Sequence, residues 1–243
     1  RRPDRTMFAI APPDGDGLCL CERCERFDVP GYRVPTQDRK SHPVLTDRIL
    51  HFYNEVAARI EPEFPDRILS GYLYMDYQYP PRRETRVARN VALFLAPNAA
   101  VEAWNDESWS HTQSLYRFWG KFHDRVYAHD IGYLLSLTHG LPAPLGDRAA
   151  DFGRLLAESG MRGCYLYIGP TWESFGADAY VWARMLWDPE VDAGRIRDGY
   201  FADLYGPAAD SVRRYYETAN GCLRRLTNPE STEVGKLALA FSR

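Results

Sequence analysis

The sequence reads as an α/β protein whose strands run parallel, and three observations carry that reading. Short apolar stretches recur along the chain, amphipathic helical stretches or long polar loops separate them, and polar side chains collect just past the end of each apolar stretch. Strands alternating with helices are the rhythm of a parallel sheet. Polar groups at the strand ends match ligand-binding loops, which leave the carboxyl edge of such sheets while the scaffold stays fixed.

The first strand is the apolar run Met7 to Ala11, which opens into Pro-Pro-Asp-Gly-Asp-Gly and then into three closely spaced cysteines. A continuous apolar run of this kind suits a strand covered on both faces. Asp14 and Asp16 then sit just past its carboxyl end. The same Asp-Gly-Asp-Gly stretch is also ordinary turn chemistry, with Gly supplying positive φ and Asp closing the turn, and both readings stand at this point.

Phe27–Pro43 is polar and contains Pro and Gly, and reads as a long loop at the same end of the strand. Thr46 is the expected cap of a helix, TDRILHFYNEVAARI, which lines up Ile49, Tyr53, Val56, Ala57 and Ile60 on one face. Glu61-Pro62 and Phe64-Pro65 end it, because proline has no amide hydrogen to continue the ladder. Arg67–Met75 is the second strand and ends at Asp76; Asn90–Ala96 is the third and ends at Pro97-Asn98. Ser114–Phe122 is helical, with Leu115, Phe118, Trp119 and Phe122 on one side. The fourth strand, Arg125–Ala128, leads into His129-Asp130. A helix from Asp147 through Glu158 closes at Ser159-Gly160, since glycine readily takes the left-handed conformation of a helix stop. The fifth strand, Cys164–Ile168, leads toward Trp172-Glu173, and three further helical stretches follow, Ala179–Trp187, Ala193–Leu204 and Pro207–Leu226.

Asp14 and Asp16, Asp76, Asn98, His129 with Asp130, and Glu173 all fall at or just beyond carboxyl ends of predicted strands, and in a closed barrel they would converge on one pocket. A complete barrel of this type has eight strands. Five are legible, and the first arrives at once. The predicted fold is therefore the C-terminal portion of a (β/α)8 TIM barrel, about five strands followed by C-terminal helices, with an N-terminal remainder missing from the chain. A five-stranded sheet that stays open, with edge strands to cover, is the alternative. Residues 1–176 form the partial barrel of catalytic type in this reading, and residues 177–243 a helical segment packed on it.

Composition narrows the function. A formal charge of -3 supplies no basic face for nucleic acid or an anionic membrane, and no stretch is long and apolar enough to span a bilayer. Aromatic residues make up 14%, including 16 Tyr and 6 Trp, and ring faces of this kind stack on the apolar C–H surfaces of sugars while hydroxyls find hydrogen bonds elsewhere. Aromatics also fill cores, and most of these do. Five cysteines cannot all pair. Cys19, Cys21 and Cys24 can fill three corners of a zinc site, but the usual second pair or His-x-x-x-His partner is missing. Neither a metal nor a cofactor is expected, with that trio the weak alternative.

Several residues together carry a family resemblance: the Asp-Gly motif with Cys-x-Cys-x-x-Cys close behind, the tyrosine-rich strand Gly71–Tyr79 before Pro-Pro, the Asn90-Val91 strand and the strand ending in Asp130. The late run Met185-Leu186-Trp187-Asp188-Pro189 followed by Tyr205-Gly206-Pro207-Ala208-Ala209 completes the set. In this order they resemble the domain-of-unknown-function 4838 proteins over roughly Met7 to Leu226. That family is similar to the family 163 glycoside hydrolases, endo-β-N-acetylglucosaminidases, and more distantly to the family 67 α-glucuronidases. The resemblance implies carbohydrate chemistry in a TIM-barrel pocket, a carbohydrate substrate as the partner, and an exported, extracytoplasmic bacterial protein. Asp14 matches the family's Asp-Gly motif, and the three cysteines its cysteine cluster. Asp130 matches an aspartate commonly preceded by tryptophan, a place His129 holds here. At the fifth strand, where relatives often carry Glu or Gln beside Gly, this chain reads Tyr167-Ile168-Gly169, and the nearest carboxylate is Glu173.

Glycoside hydrolysis needs two carboxyl groups flanking the scissile bond. Glu173 is the expected acid/base, because an apolar neighbour such as Trp172 can raise a carboxyl pKa and keep it protonated. Asp130 is the second catalytic residue expected. Asp14, Asp16, Tyr74, Asp76, His129 and Trp172 are expected to bind substrate. Two other readings stay open, a non-catalytic carbohydrate-binding protein derived from such an enzyme and a zinc-stabilised structural module.

Overall fold

The computed structural model describes residues 4–12, 18–35, 41–97, 103–133, 143–168 and 172–227. Their strands are β1 (Met7–Ala9), β2 (Arg33–Pro35), β3 (Ser41–Pro43), β4 (Ile68–Tyr74), β5 (Val91–Ala96), β6 (Val126–Tyr133) and β7 (Cys164–Ile168). Their helices are α1 (Glu22–Glu25), α2 (Thr46–Ile60), α3 (Asp106–Phe122), α4 (Asp147–Ser159), α5 (Trp172–Trp187), α6 (Ala193–Tyr205) and α7 (Ala209–Thr227). Strands β1, β4, β5, β6 and β7 lie in that order in one sheet, every neighbouring pair parallel. The sheet curls into a half barrel, with C-terminal helices after it.

One side of the sheet is dry. Leu69, Leu73, Val91, Leu93, Leu95, Val126 and Ala128 face the helices, where they meet Ile49, Tyr53 and Ala57 of α2 and Leu115, Tyr116 and Trp119 of α3. Phe152 of α4 ties three helices together, its ring 6.3 Å from Trp109, 5.6 Å from Tyr116 and 5.0 Å from Trp182. Burial of such rings is the largest single source of apolar stabilisation, roughly 1.5–3 kcal/mol for each large side chain. Tyr53 shows how close the fit is. An added Cβ on Gly71 would lie 2.3 Å from its Cζ, so β4 admits this helix only because the position has no side chain. The Tyr53 hydroxyl donates to the Tyr72 carbonyl at 3.0 Å.

Several sequence expectations change. Strand β1 stops at Ala9 and its residues are exposed, not covered on both faces; among the described residues it lies at the edge of the sheet, paired with β4. Part of the stretch read as a long loop forms the antiparallel β2–β3 pair. Thr46 is the first residue of α2 and not its cap. Leu45 holds that place without a side-chain hydrogen bond, and the buried Thr46 hydroxyl makes none among the described residues. Helix α3 starts earlier than expected, at Asp106, because Asn105 caps it by accepting from the Ser108 amide at 2.8 Å. Strand β6 runs on through His129 and Asp130 to Tyr133, with an irregularity in its register against β7 between Asp130 and Tyr133. Helix α5 begins at Trp172, so Glu173 lies in a helical turn and not in a loop.

The crossings between strands are unequal. Helices α2, α3 and α4 serve three of them, but β4 reaches β5 through a short 3-10 turn at Met75–Tyr77 and an irregular segment. Helix α2 holds that segment with polar side chains. Asp47, 2% exposed, accepts from the amides of Arg82 at 3.0 Å, Arg83 at 2.6 Å and Glu84 at 2.7 Å. Two turns further along, the Asn54 side chain accepts from the Ala88 amide at 2.8 Å and donates to the Arg86 carbonyl at 3.1 Å. Buried backbone donors need such partners.

The C-terminal helices form a smaller cluster around Phe201 and Tyr216, with Ala177 and Ala209. Asp178 of α5 connects it to the segment before α4 by accepting from the Leu145 amide at 2.7 Å. Arg197 of α6 donates to the Gly146 carbonyl at 2.5 Å and pairs with Asp147 at 3.1 Å.

Two outcomes follow from these buried carboxylates. Asp47→Ala removes the acceptor for three amides and should lower the unfolding free energy by about 2 kcal/mol, with faster hydrogen exchange at residues 82–84; unchanged exchange there would contradict the clamp. Burial pushes the Asp178 carboxyl up to about 6. Between about pH 4, the unfolded value, and pH 6 the folded chain therefore holds a proton that the unfolded chain releases. Stability falls as pH rises through that window and levels off above it. Urea unfolding of the wild type relative to Asp178→Asn should lose roughly 2–3 kcal/mol from pH 4 to pH 7, and a difference that stays flat or rises would refute it.

Candidate functional site

The side of the sheet away from the helices is lined with rings. In the parallel register Tyr72 lies beside Phe94, Phe94 beside Tyr127, and His129 beside Tyr165. Tyr72 and Phe94 are 6.0 Å apart, Phe94 and Tyr127 stack at 5.2 Å, and His129 sits 5.0 Å from Tyr72 and 5.1 Å from Tyr165. Side chains alternate faces along a strand, so each ring is separated from the next by a residue of the buried core. Tyr165 and Tyr167 at the β7 side are 55% and 51% exposed. The result is a continuous, part-exposed aromatic surface that includes three tyrosines in contact, Tyr72, Tyr127 and Tyr165. Burial lowers the His129 pKa and raises that of Tyr72, and His129 Nδ1 makes no hydrogen bond among the described residues.

At the carboxyl end of β4 the chain turns abruptly. Met75 has φ of 48°, the left-handed region, which a long side chain enters at a cost of about 1–2 kcal/mol. That turn places Tyr74 against Tyr77, edge to face at 6.5 Å, and sets Asp76 3.8 Å from His42 Nδ1 of β3. The Asp76 side chain is 21% exposed, and its backbone carbonyl accepts from the Leu45 amide at 2.9 Å. The β2–β3 pair therefore closes against the end of β4 and the start of α2.

The expected site residues divide. His129, Tyr74 and Asp76 lie on or beside the open face. Asp130 does not: it is 0% exposed and shares the helix-facing side with Ala128 and Val126, close enough to Tyr116 and Cys164 to raise the pKa of both, the Cys164 thiol up to about 12, with burial the larger cause in each. It sits inside strand β6, not beyond its end, because the strand continues three residues further. Glu173 and Trp172 occupy the first turn of α5, just past β7, and their side chains lie outside the described residues. Asp14, Asp16 and Asn98 also lie outside the described residues.

The loop after β1 is anchored from behind. Arg48 donates through Nη1 to the Cys19 carbonyl at 2.6 Å and through Nε to Asp28 at 2.9 Å, with a second, shorter contact between Nη2 and the same carboxylate. Between this loop and α2 lies a largely apolar groove of about 650 Å³, bordered by Ile10, Leu18, Cys24, Phe27, Phe52 and Val56. Cys19 and Cys24 line it; Cys19 and Cys21 are exposed, Cys24 half buried. Hydrogen bonding from Cys19 and from the backbone amides of Cys24 and Arg23 pulls the Cys21 thiol pKa down, while hydrogen bonding with Cys19 and Cys21 pushes that of Cys24 up.

A family model described as a domain of unknown function, DUF4838, matches residues 1–217. No curated protein matches the chain, and no solved structure does.

With its ring between two tyrosines and withdrawn from water, His129 should be neutral at pH 7. An NMR titration of its ring protons should give a midpoint below the usual histidine value of about 6.5; a midpoint at or above that value would show that the ring is better solvated than its position implies.

Proposed function

Starting from the fact that the chain belongs to the DUF4838 family, we propose that it is a glycoside hydrolase-like protein that binds a glycan across the open face and cleaves it at the carboxyl end of the sheet. The observation that carries this reading is the aromatic surface formed by Tyr72, Phe94, Tyr127, His129 and Tyr165. A sugar ring has apolar C–H faces and polar edges. Stacking rings with hydroxyls at their margins suit it better than they suit a wholly apolar or a charged ligand. The likeness of the family to the family 163 and family 67 glycoside hydrolases points the same way.

The chemistry needs two carboxyl groups at the strand ends. Glu173 is one. It stands in the first turn of α5, just past β7, and in this reading it attacks, orients the substrate or activates water. Asp76, part exposed beside His42, takes the proton-handling role at the β4 end. Asp130 supports the wall beneath His129 in this reading and does not touch the sugar.

A second reading has its own support. Buried Asp130 and the tyrosines that alternate with Leu166 along β7 leave a surface suited to holding sugars without cleaving them. One experiment separates the two. The protein is assayed against aryl glycosides and N-glycans, with Glu173→Gln, Asp76→Asn and Asp130→Asn beside it. The hydrolase reading expects wild-type turnover, a loss of roughly 10²-fold or more in Glu173→Gln and in Asp76→Asn with glycan binding kept, and a stability effect in Asp130→Asn that exceeds its effect on turnover. Glycan binding by the wild type without any cleavage would establish the second reading in its place.

A further inference from the structure

From the thiol cluster after β1 we infer a metal site: Cys19, Cys21 and Cys24 together bind one thiophilic divalent cation, zinc in the first instance, as three thiolates. Three separate features converge on it. The sulfur atoms all lie within 4.8 Å of one another, and Cys19 Sγ is 3.3 Å from Cys21 Sγ. A tetrahedral ion with Zn–S bonds of about 2.3 Å sets its sulfurs about 3.8 Å apart, so closing the site asks only for small side-chain movements.

The second feature is the backbone. Residues 21–24 make a tight turn in which the amides of Cys24 and Glu25 donate to the Cys21 carbonyl at 2.8 and 3.0 Å. These bonds fix the backbone that carries Cys21 and Cys24. The third feature is exposure. Cys19 and Cys21 are exposed, so apolar burial does not account for bringing the sulfurs together. The loop is also held in place from α2, through Arg48 to the Cys19 carbonyl and to Asp28. A loop fixed before the ion arrives loses less freedom on binding.

Among the described residues the cluster has three members, which leaves a fourth position on the ion open. Three thiolates and a divalent cation sum to one negative charge, which the exposure of Cys19 and Cys21 leaves to the solvent. Bound there, the ion would join Cys19 to the α1 turn.

The test uses the whole chain, reduced and stripped of metal, titrated with Zn²⁺ and with Cd²⁺ in its place. One ion per chain should bind, with a cadmium–thiolate charge-transfer band in the ultraviolet and protection of three thiols from a disulfide reagent. Cys19→Ser, Cys21→Ser and Cys24→Ser should each weaken binding at least tenfold, while Cys164→Ser and Cys222→Ser leave it unchanged. The cadmium band on the unaltered chain needs no variant, so a folding defect in one of them cannot hide the result. Absence of that band, full affinity retained in Cys21→Ser, or equal loss in Cys164→Ser would each overturn the assignment.

Discussion

Two adjacent side chains of opposite charge at the start of α2 hold the parts of this protein that matter for function. Asp47 gathers the amides of residues 82–84 and so fixes the segment that leaves β4; Arg48 grips the Cys19 carbonyl and Asp28 and so fixes the loop that leaves β1. Among the described residues neither loop has a helix of more than four residues to shape it. The first turn of a helix buried by its apolar stripe is free to bond beyond the core, and here that turn points at the carboxyl edge of the sheet. The same helix therefore packs the core through Ile49 and Tyr53 and organises the loops through its first turn. Partnered charges are what make such burial tolerable, since an unpaired one would be costly.

Much of the scaffold was legible from residue order. The apolar runs gave all five sheet strands, Cys164–Ile168 to the residue, and the helical spacing of Ile49, Tyr53 and Ala57 gave the buried face of α2. Gly160 stops α4 in the left-handed conformation, φ 79°, as a glycine in that place should. What local pattern could not show was long-range. Strand β1 looks as apolar as β5, but nothing in its own residues says that, among the described residues, one neighbour alone will pair with it. The β2–β3 pair is short and carries Arg33, Ser41 and His42, a composition that reads as loop until the strands are seen side by side.

The positions of the candidate residues were legible in part. Tyr74, Asp76 and His129 fell at strand ends by simple counting, and they do stand on or beside the open face. Asp130 was misread because β6 runs on beyond it; one step along a strand turns a side chain from the open face to the core. His129 and Asp130 thus lie on opposite sides of the same sheet. The aromatic surface was missed for the opposite reason. Tyr72 alternates with Gly71 and Leu73, and Tyr165 and Tyr167 flank Leu166, so a count at every second residue reveals the ring-bearing face that a search for continuous apolar runs conceals.

The crossing from β4 to β5 has one more consequence, for the order in which the chain acquires its structure. Asp47 meets residues 82–84 across 35 to 37 positions of sequence, farther than β4 stands from β5 along the chain. The two strands can pair early, through near neighbours, while the segment joining them waits for a helix that must first dock on their back. Contacts of long sequence separation form late because their loop must close first. The rim of the site is thus assembled after the wall that carries it, and a fluctuation that lifts the first turn of α2 would release that rim while leaving the wall intact.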